Sequence, residues 1–289
     1  MRTLDNPDRS LQVDLPLWKI TFLVVSYARP ERLWLCLESI KQQLYANYEI
    51  VVSDDGTPND ETKDIAERYG AKFVRGDRLV IDGVEHRNLP GVLNQAQPYI
   101  EGDIIQVLQR DHIIAPDFGL WLARTYSPFY AMIGLTDHTD VKFTLDDVNA
   151  LLRTVHIPEN EVRYDKYMYS GRATLQEILS WKEMDGLDLA FHKSMLLGVD
   201  TEMWGHGHFW LDFLLRLKLS GARFMLNPMM KLWNFRDPDP TDEDWKADMD
   251  RTYKYMADKW SPEVWLVMPQ DHMGLRKHAG ELREQFGVA

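Results

Sequence analysis

Apolar and polar residues arrive in short blocks over the first third of the chain. Lys19-Ile-Thr-Phe-Leu-Val-Val-Ser26 is a β-rich, nearly continuous apolar run, the pattern of a strand covered on both faces. Pro30-Glu31 then opens a helical spacing through Leu33, Leu37, Ile40 and Leu44. Proline suits a first helical turn, where its missing N–H would have no partner anyway. Tyr48–Ser53 reads as a second strand, 54–58 as a turn and Asn59–Tyr69 as a helix stopped by Gly70. Ala71–Arg75 is a third strand, Gly91–Tyr99 a helix and Asp103–Leu108 a fourth strand running into Gln109-Arg-Asp-His112.

Strands alternating with helices predict a parallel α/β sheet. Such sheets bind ligands beyond the carboxyl ends of their strands, which singles out the loops Ser26–Pro30 and Asp54–Gly56. Residues 1–17 read as an N-terminal arm, 18–236 as the main domain and 237–289 as a helical extension. Within the domain, the more polar stretch 137–190 reads as an insertion over one sheet face, helical around Leu145–Thr154 and Leu175–Trp181. The extension opens on seven acids and one lysine between Asp237 and Asp250, a solvated linker and helix start, and turns helical from Arg251 to Trp260.

Composition narrows the classes. The 289 residues are 45% hydrophobic and 27% charged, a globular balance that excludes collagen, coiled coil and wholesale disorder. A net charge of −12 argues against a broad phosphate-binding surface, leaving at most a local basic groove, so nucleic acid is not an expected partner. One cysteine, Cys36, cannot form an internal disulfide. No export signal or membrane-spanning run is apparent, so a cytoplasmic protein is expected.

Several residues carry candidate chemistry. Asp54 and Asp55 after a strand suit a base N–H or ribose hydroxyls, and equally a helix-capping turn. Tyr27 offers a flat face for a base, or is a structural tyrosine. In Gln109-Arg110-Asp111, Asp111 can ligate a hard cation, Gln109 offers only a neutral carbonyl, and Arg110 can face phosphate oxygens or a surface carboxylate. Trp204-Gly-His-Gly-His-Phe-Trp-Leu-Asp212 precedes an amphipathic helix; zinc on His206 and His208 lacks further ligands, and Asp212 is either a first-turn charge or a general base. There is no P-loop, no G-x-G-x-x-G after the first strand and no G-x-S-x-G elbow.

In this order, ITFLVVSYARPERLWLCLESIKQQLYANYEIVVSDDGTPNDET, NLPGVLNQAQPYIEGDIIQVLQRDHIIAPDF and LDLAFHKSMLLGVD…GHGHFWLDFLLRLKLSGARFMLNP resemble the inverting glycosyltransferase family 2 of GT-A fold. The resemblance covers most of residues 19–235. It implies a Rossmann-like, mixed but mainly parallel sheet flanked by helices. It also implies a sugar moved from a nucleotide donor, UDP-linked, to an acceptor hydroxyl. By resemblance Tyr27 stacks on the base, and Asp54 and Asp55 contact base or ribose, with Asp55 favoured for the base. Ser26, Arg29 and Arg87 lie along the nucleotide, as does the stretch from Asn88 through 91–94.

Gln109 stands where the family's D-x-D motif has its first Asp, and Asp111 keeps the metal-binding second one. A Mn²⁺ or Mg²⁺ ion would sit on Asp111, helped by Asn234 where the family places His. Asp212 is the expected base with His208 in reserve, and Trp204, Phe209 and Trp210 with the insertion form the acceptor wall. A glycan, a small molecule or a modified base are all open as acceptor. Three alternatives stand beside this reading: a metal-independent enzyme using Arg110, a non-catalytic GT-A-like binding module, and, more distantly, a nucleotidyltransferase.

Overall fold

The computed structural model describes residues 17–139, 175–177, 188–196, 198–204, 209–235, 251–252, 254–256 and 258–260. Along the chain come β1 (Ile20–Ser26), α1 (Pro30–Lys41), β2 (Tyr48–Asp54), α2 (Glu61–Arg68) and β3 (Lys72–Arg75). A hairpin of β4 (Leu79–Ile81) and β5 (Val84–His86) precedes α3 (Leu89–Ala96), β6 (Ile104–Gln109), β7 (His112–Ile114) and α4 (Phe118–Thr125). Then follow β8 (Tyr130–Thr139), β9 (Gln176–Glu177), β10 (Leu189–His192), α5 (Phe209–Leu219) and β11 (Arg223–Phe235). Residues 251–260 carry a helix at most of their described positions.

One sheet runs in the order β3-β2-β1-β6-β10-β8-β11-β7, with β9 added on β11. The four strands read from the sequence form its parallel half. Beyond β6, β10 runs antiparallel to both neighbours and β8 pairs parallel with β11. The sheet is therefore mixed, and its parallel half carries the predicted βαβ order.

The apolar run of β1 divides between both faces because side chains alternate across a strand. Ile20, Phe22 and Val24 join Leu33, Leu37 and Ile40 of α1 and Phe118 and Leu122 of α4. Leu23 and Val25 join Val92 and Leu93 of α3 and Phe213 and Leu217 of α5. Both faces are thus covered, as the run requires.

Two expectations need correction. Leu44 lies beyond the end of α1 and is 62% exposed, so it is not part of the helix's buried stripe. Gln43 is the physical reason: its side chain donates to the Ala115 carbonyl and accepts from the Gly119 N–H, drawing the chain out of the helix. Within the stretch read as helical at Leu175–Trp181, Gln176–Glu177 is a strand on β11. There Arg223 holds Glu177 through two contacts of 3.2 and 2.8 Å, so sheet pairing overrides local propensity. The arm at 1–16, the Leu145–Thr154 helix and the extension's opening fall outside the described residues. At the edges of the stretch 137–190, positions 137–139 lie in β8 and 189–190 in β10.

At the amino ends of the parallel strands, Glu49 gathers hydrogen bonds from Thr21 Oγ1 (2.6 Å), the Glu101 N–H (2.6 Å), the Gly102 N–H (2.9 Å) and Lys72 Nζ (3.0 Å). Burial alone would raise its pKa, but these donors outweigh it and hold the carboxyl at about 2. A depressed carboxylate stabilises the fold above its unfolded pKa and loses that contribution as pH falls toward 2. Glu49→Gln is expected to cost about 2–3 kcal/mol at pH 7 and almost nothing near pH 2. Denaturant melts at both pH values check it, and an equal loss at both would contradict the assignment.

Candidate functional site

The site starts from register. Ser26 lies opposite Asp54, and Val25 lies opposite Gln109, so β2, β1 and β6 end level with one another. Three loops leave that line side by side: 27–29, 55–57 and 110–111. The structure thereby brings together Ser26, Tyr27, Arg29, Asp54, Asp55, Gln109, Arg110 and Asp111.

The first two loops are locked to each other. The fully buried Asp54 accepts from the Thr57 N–H (2.6 Å) and Thr57 Oγ1 (2.8 Å), while Thr57 Oγ1 accepts from the Ala28 N–H (2.7 Å). Asp54 is thereby spent on closing the 54–57 turn, which caps no helix because α2 starts at Glu61 with Asp60 as its N-cap. Ala28 (φ 53°) and Arg29 (φ 56°) both hold left-handed backbone, which costs about 1–3 kcal/mol each in a non-glycine residue. Such strain persists only where surrounding bonds impose it, and here Thr57 does. Ser26 Oγ is buried without a hydrogen-bond partner.

Asp55 is 1% exposed and accepts from the Asn88 N–H at 3.2 and 3.3 Å. Arg78 Nη1 stands 3.5 Å from its Oδ2. Burial is the largest influence on this carboxyl and lifts its pKa to about 6, against the Asn88 N–H and Arg78, which hold it down. Arg78 also lies over the Tyr27 ring, 4.1 Å from the centroid. Arg87, at the end of the hairpin, has its pKa lowered by the protein around its guanidinium and by the like charges of Arg110 and Arg78.

Asp111 sits on the turn between β6 and β7. Arg32 Nη1 is 3.6 Å and Arg110 Nε 3.9 Å from its carboxylate. β7 pairs with β11 so that Asn234 faces His112, one residue from Asp111. Among the described residues no three His, Cys, Asp or Glu side chains converge as metal ligands. Asp111 Oδ1, however, is buried with no hydrogen-bond partner. One orphaned carboxylate oxygen fits a Mg²⁺-like ion that takes its other ligands from diphosphate and water. It does not fit a closed protein cage.

The residues expected on the acceptor side are dispersed. Asp212, expected as the base, is fully buried and accepts from Arg216 Nε (2.8 Å) and Trp260 Nε1 (2.9 Å), with Lys259 Nζ at 2.8 Å. Two cations and an indole hold this fully buried carboxylate, which anchors 251–260 to α5. Trp210, expected in the acceptor wall, is instead a core residue packed edge-on to Phe213. Trp204 is half-buried between the His86 ring (4.5 Å) and the Arg251 guanidinium (3.7 Å), so both neighbours already lie on its ring. His206, His208 and the Phe209 side chain lie outside the described residues.

Arg32, Thr57 and Arg78 are the site residues that sequence reasoning missed. Arg32 falls in the first turn of the proline-led helix, just past the Ser26–Pro30 loop, and Thr57 in the 54–58 turn, so both lay inside the quoted segments. Arg78 falls in no motif.

Residues 21–132 match the family model described as Glycosyl transferase family 2. EpsH of Bacillus subtilis (strain 168), a protein named as a glycosyltransferase, is 29% identical over 139 residues, which are 44% of this chain and 39% of EpsH. S. aureus TarS in complex with UDP-GlcNAc superposes with a TM-score of 0.58 at 12% identity, covering 93% of this chain and 71% of that one. The mannosyltransferase PcManGT from Pyrobaculum calidifontis, in complex with GDP-Man and Mn²⁺, gives 0.54 at 15%, covering 93% and 75%. The fold is that of GT-A glycosyltransferase structures, and residues 21–132 are similar to glycosyltransferase family 2. The match spans about two-fifths of the length of EpsH. Among the described residues no helix is long and apolar enough to cross a membrane.

Two outcomes follow from this geometry. A carboxyl raised to about 6 penalises the folded state above that pH, and the penalty fades as pH falls toward 4. Asp55→Asn is therefore expected to stabilise the protein at pH 8 by up to about 3 kcal/mol and not at pH 4.5, while weakening nucleotide binding. A melt showing destabilisation at pH 8 would contradict it. Asp212→Ala should lower stability by about 2–3 kcal/mol, less than a fully buried pair because Arg216 and Lys259 keep some solvent. A loss of activity with an unchanged melting curve would instead return Asp212 to the role of base.

Proposed function

We propose that the protein transfers a sugar from a UDP-linked donor to an acceptor hydroxyl with inversion, its nucleotide lying across the ends of β1, β2 and β6. The observation that carries this reading is Asp55, a buried carboxyl of raised pKa beside the Tyr27 ring at the mouth of three level parallel strands. Tyr27 stacks on the base and Asp55 accepts its N–H. Gln109 and Ser26 hydrogen-bond the ribose, and Arg29 lies along the nucleotide. Arg87 and Arg110 face the diphosphate, whose departure needs positive charge at the leaving oxygens. Asp111, with Asn234, would hold a Mn²⁺ or Mg²⁺ ion, which when bound supplies part of that charge.

The end of β8 supports an acceptor side close by. β8 ends at Thr139 level with Phe235, whose N–H donates 3.1 Å to the Asp111 carbonyl, so β8 ends next to the diphosphate end. An inverting reaction needs a base within about 3 Å of the attacking hydroxyl. With Asp212 committed to cations, that role passes to His208, which precedes α5 in the sequence.

A second reading omits the ion. Arg32 and Arg110 bracket Asp111 at 3.6 and 3.9 Å, and Arg87 adds a third cation near the same carboxylate, enough to neutralise a diphosphate without metal.

Titration calorimetry of the full chain with UDP, GDP and ADP, with Mn²⁺, Mg²⁺ or EDTA, tests both. UDP is expected to bind in the micromolar range, with Asp55→Asn weakening it about 10- to 100-fold. Failure of every nucleotide to bind with either ion would sink the donor site. Hydrolysis of UDP-sugars that survives EDTA selects the metal-free version, and its abolition selects the ion.

A further inference from the structure

We propose that Arg78 is a built-in occupant of the nucleobase slot, a side chain that the donor displaces in order to bind. This rests on the donor-site reading above and adds a residue to it. The two contacts assigned to the base are the Tyr27 face and the Asp55 carboxylate. Arg78 makes both: its guanidinium lies 4.1 Å from the Tyr27 centroid and its Nη1 3.5 Å from Asp55 Oδ2. A guanidinium is flat and stacks as a base does. A base laid on that face with its N–H edge on Asp55 needs the space the guanidinium fills.

The occupant is poorly held. Arg78 Nε and Nη1 are buried with no hydrogen-bond partner, and the carboxylates that face them, Asp55 and Glu85, both stand at 3.5 Å. By contrast Arg216 meets Asp212 at 2.8 Å. Buried donors left unsatisfied favour exchange for a ligand that lets them reach water or an anion.

The surroundings permit the exchange. Arg78 directly precedes β4, and the β4–β5 hairpin is a separate two-stranded sheet that shares no ladder with the main one. Its turn, Asp82 (φ 52°) and Gly83 (φ 79°), is a tight two-residue reversal, and Val80 and Val84 are exposed. Moving its foot breaks no bond of the central sheet. The side chain enters the site over Gly56 (φ +75°), where an added Cβ would come within 3.2 Å of Arg78 Cγ and 3.0 Å of its backbone nitrogen. The glycine turn thus leaves the room through which the Arg78 stem reaches the slot.

The test is binding of uridine, followed by ligand-observed NMR, and of UDP, followed by calorimetry, to the full-length wild type and to Arg78→Ala. Uridine decides, because it carries no charge that Arg78 could attract. Loss of the internal competitor is expected to tighten uridine about three- to tenfold and to speed UDP association. Uridine affinity that stays unchanged or weakens in Arg78→Ala, while wild type still binds UDP, overturns the proposal and leaves the donor site standing. Absence of UDP binding to both proteins overturns the donor-site reading, and this proposal with it.

Discussion

Three adjacent parallel strands that end on one line are the constraint from which the rest of the site follows. β1 is the middle strand, and its register against β2 and β6 sets Ser26 beside Asp54 and Val25 beside Gln109. Because the strands are parallel, the three following loops all emerge on the same edge of the sheet. The Asp54–Thr57–Ala28 bonds then convert that adjacency into fixed geometry. They hold two consecutive residues in left-handed backbone and leave Asp55 and Tyr27 turned to the same opening.

Electrostatics at this edge runs against the chain as a whole. The protein carries a net charge of −12, yet Arg32, Arg78, Arg87 and Arg110 gather around the carboxylates of Asp55 and Asp111. The like charges are felt, since Arg87 has its pKa lowered by Arg110 and Arg78. An anion of two phosphates would relieve that repulsion, whereas a bare dication would add to it.

The parallel half was legible because its signals are local. A two-faced apolar run, a proline-led helix and an acidic turn each depend on a few neighbouring residues, and β1, α1, β2 and β6 form where those signals stand. The other, mixed half was not, since β8, β10 and β11 are defined by pairing across many tens of positions, and across more than a hundred between β7 and β11. In the site, Tyr27, Asp55 and Asp111 could be named from loops that follow readable strands. Asp212 and Trp210 could not be assigned, because their roles depend on partners: Lys259 and Trp260 for the first, and a core assembled from α3 and α5 for the second. Arg78 lay beyond reach for the same reason, as nothing in its neighbours announces that it returns to Tyr27.

The long-range partners also tie the two ends of the site together. Trp204 meets the His86 ring of the hairpin at a tilt of 57° and lies under the Arg251 guanidinium, while Arg251 donates to the Glu202 and Trp204 carbonyls and Tyr255 to Asp200. Asp212 secures the same segment through Lys259 and Trp260. Leu79 pairs with His86, so Arg78 and His86 stand at the same foot of the hairpin. The foot that carries Arg78 into the site is therefore the one that meets Trp204, and the buried carboxylate expected as a base serves the segment on the other side of that tryptophan as a structural anchor.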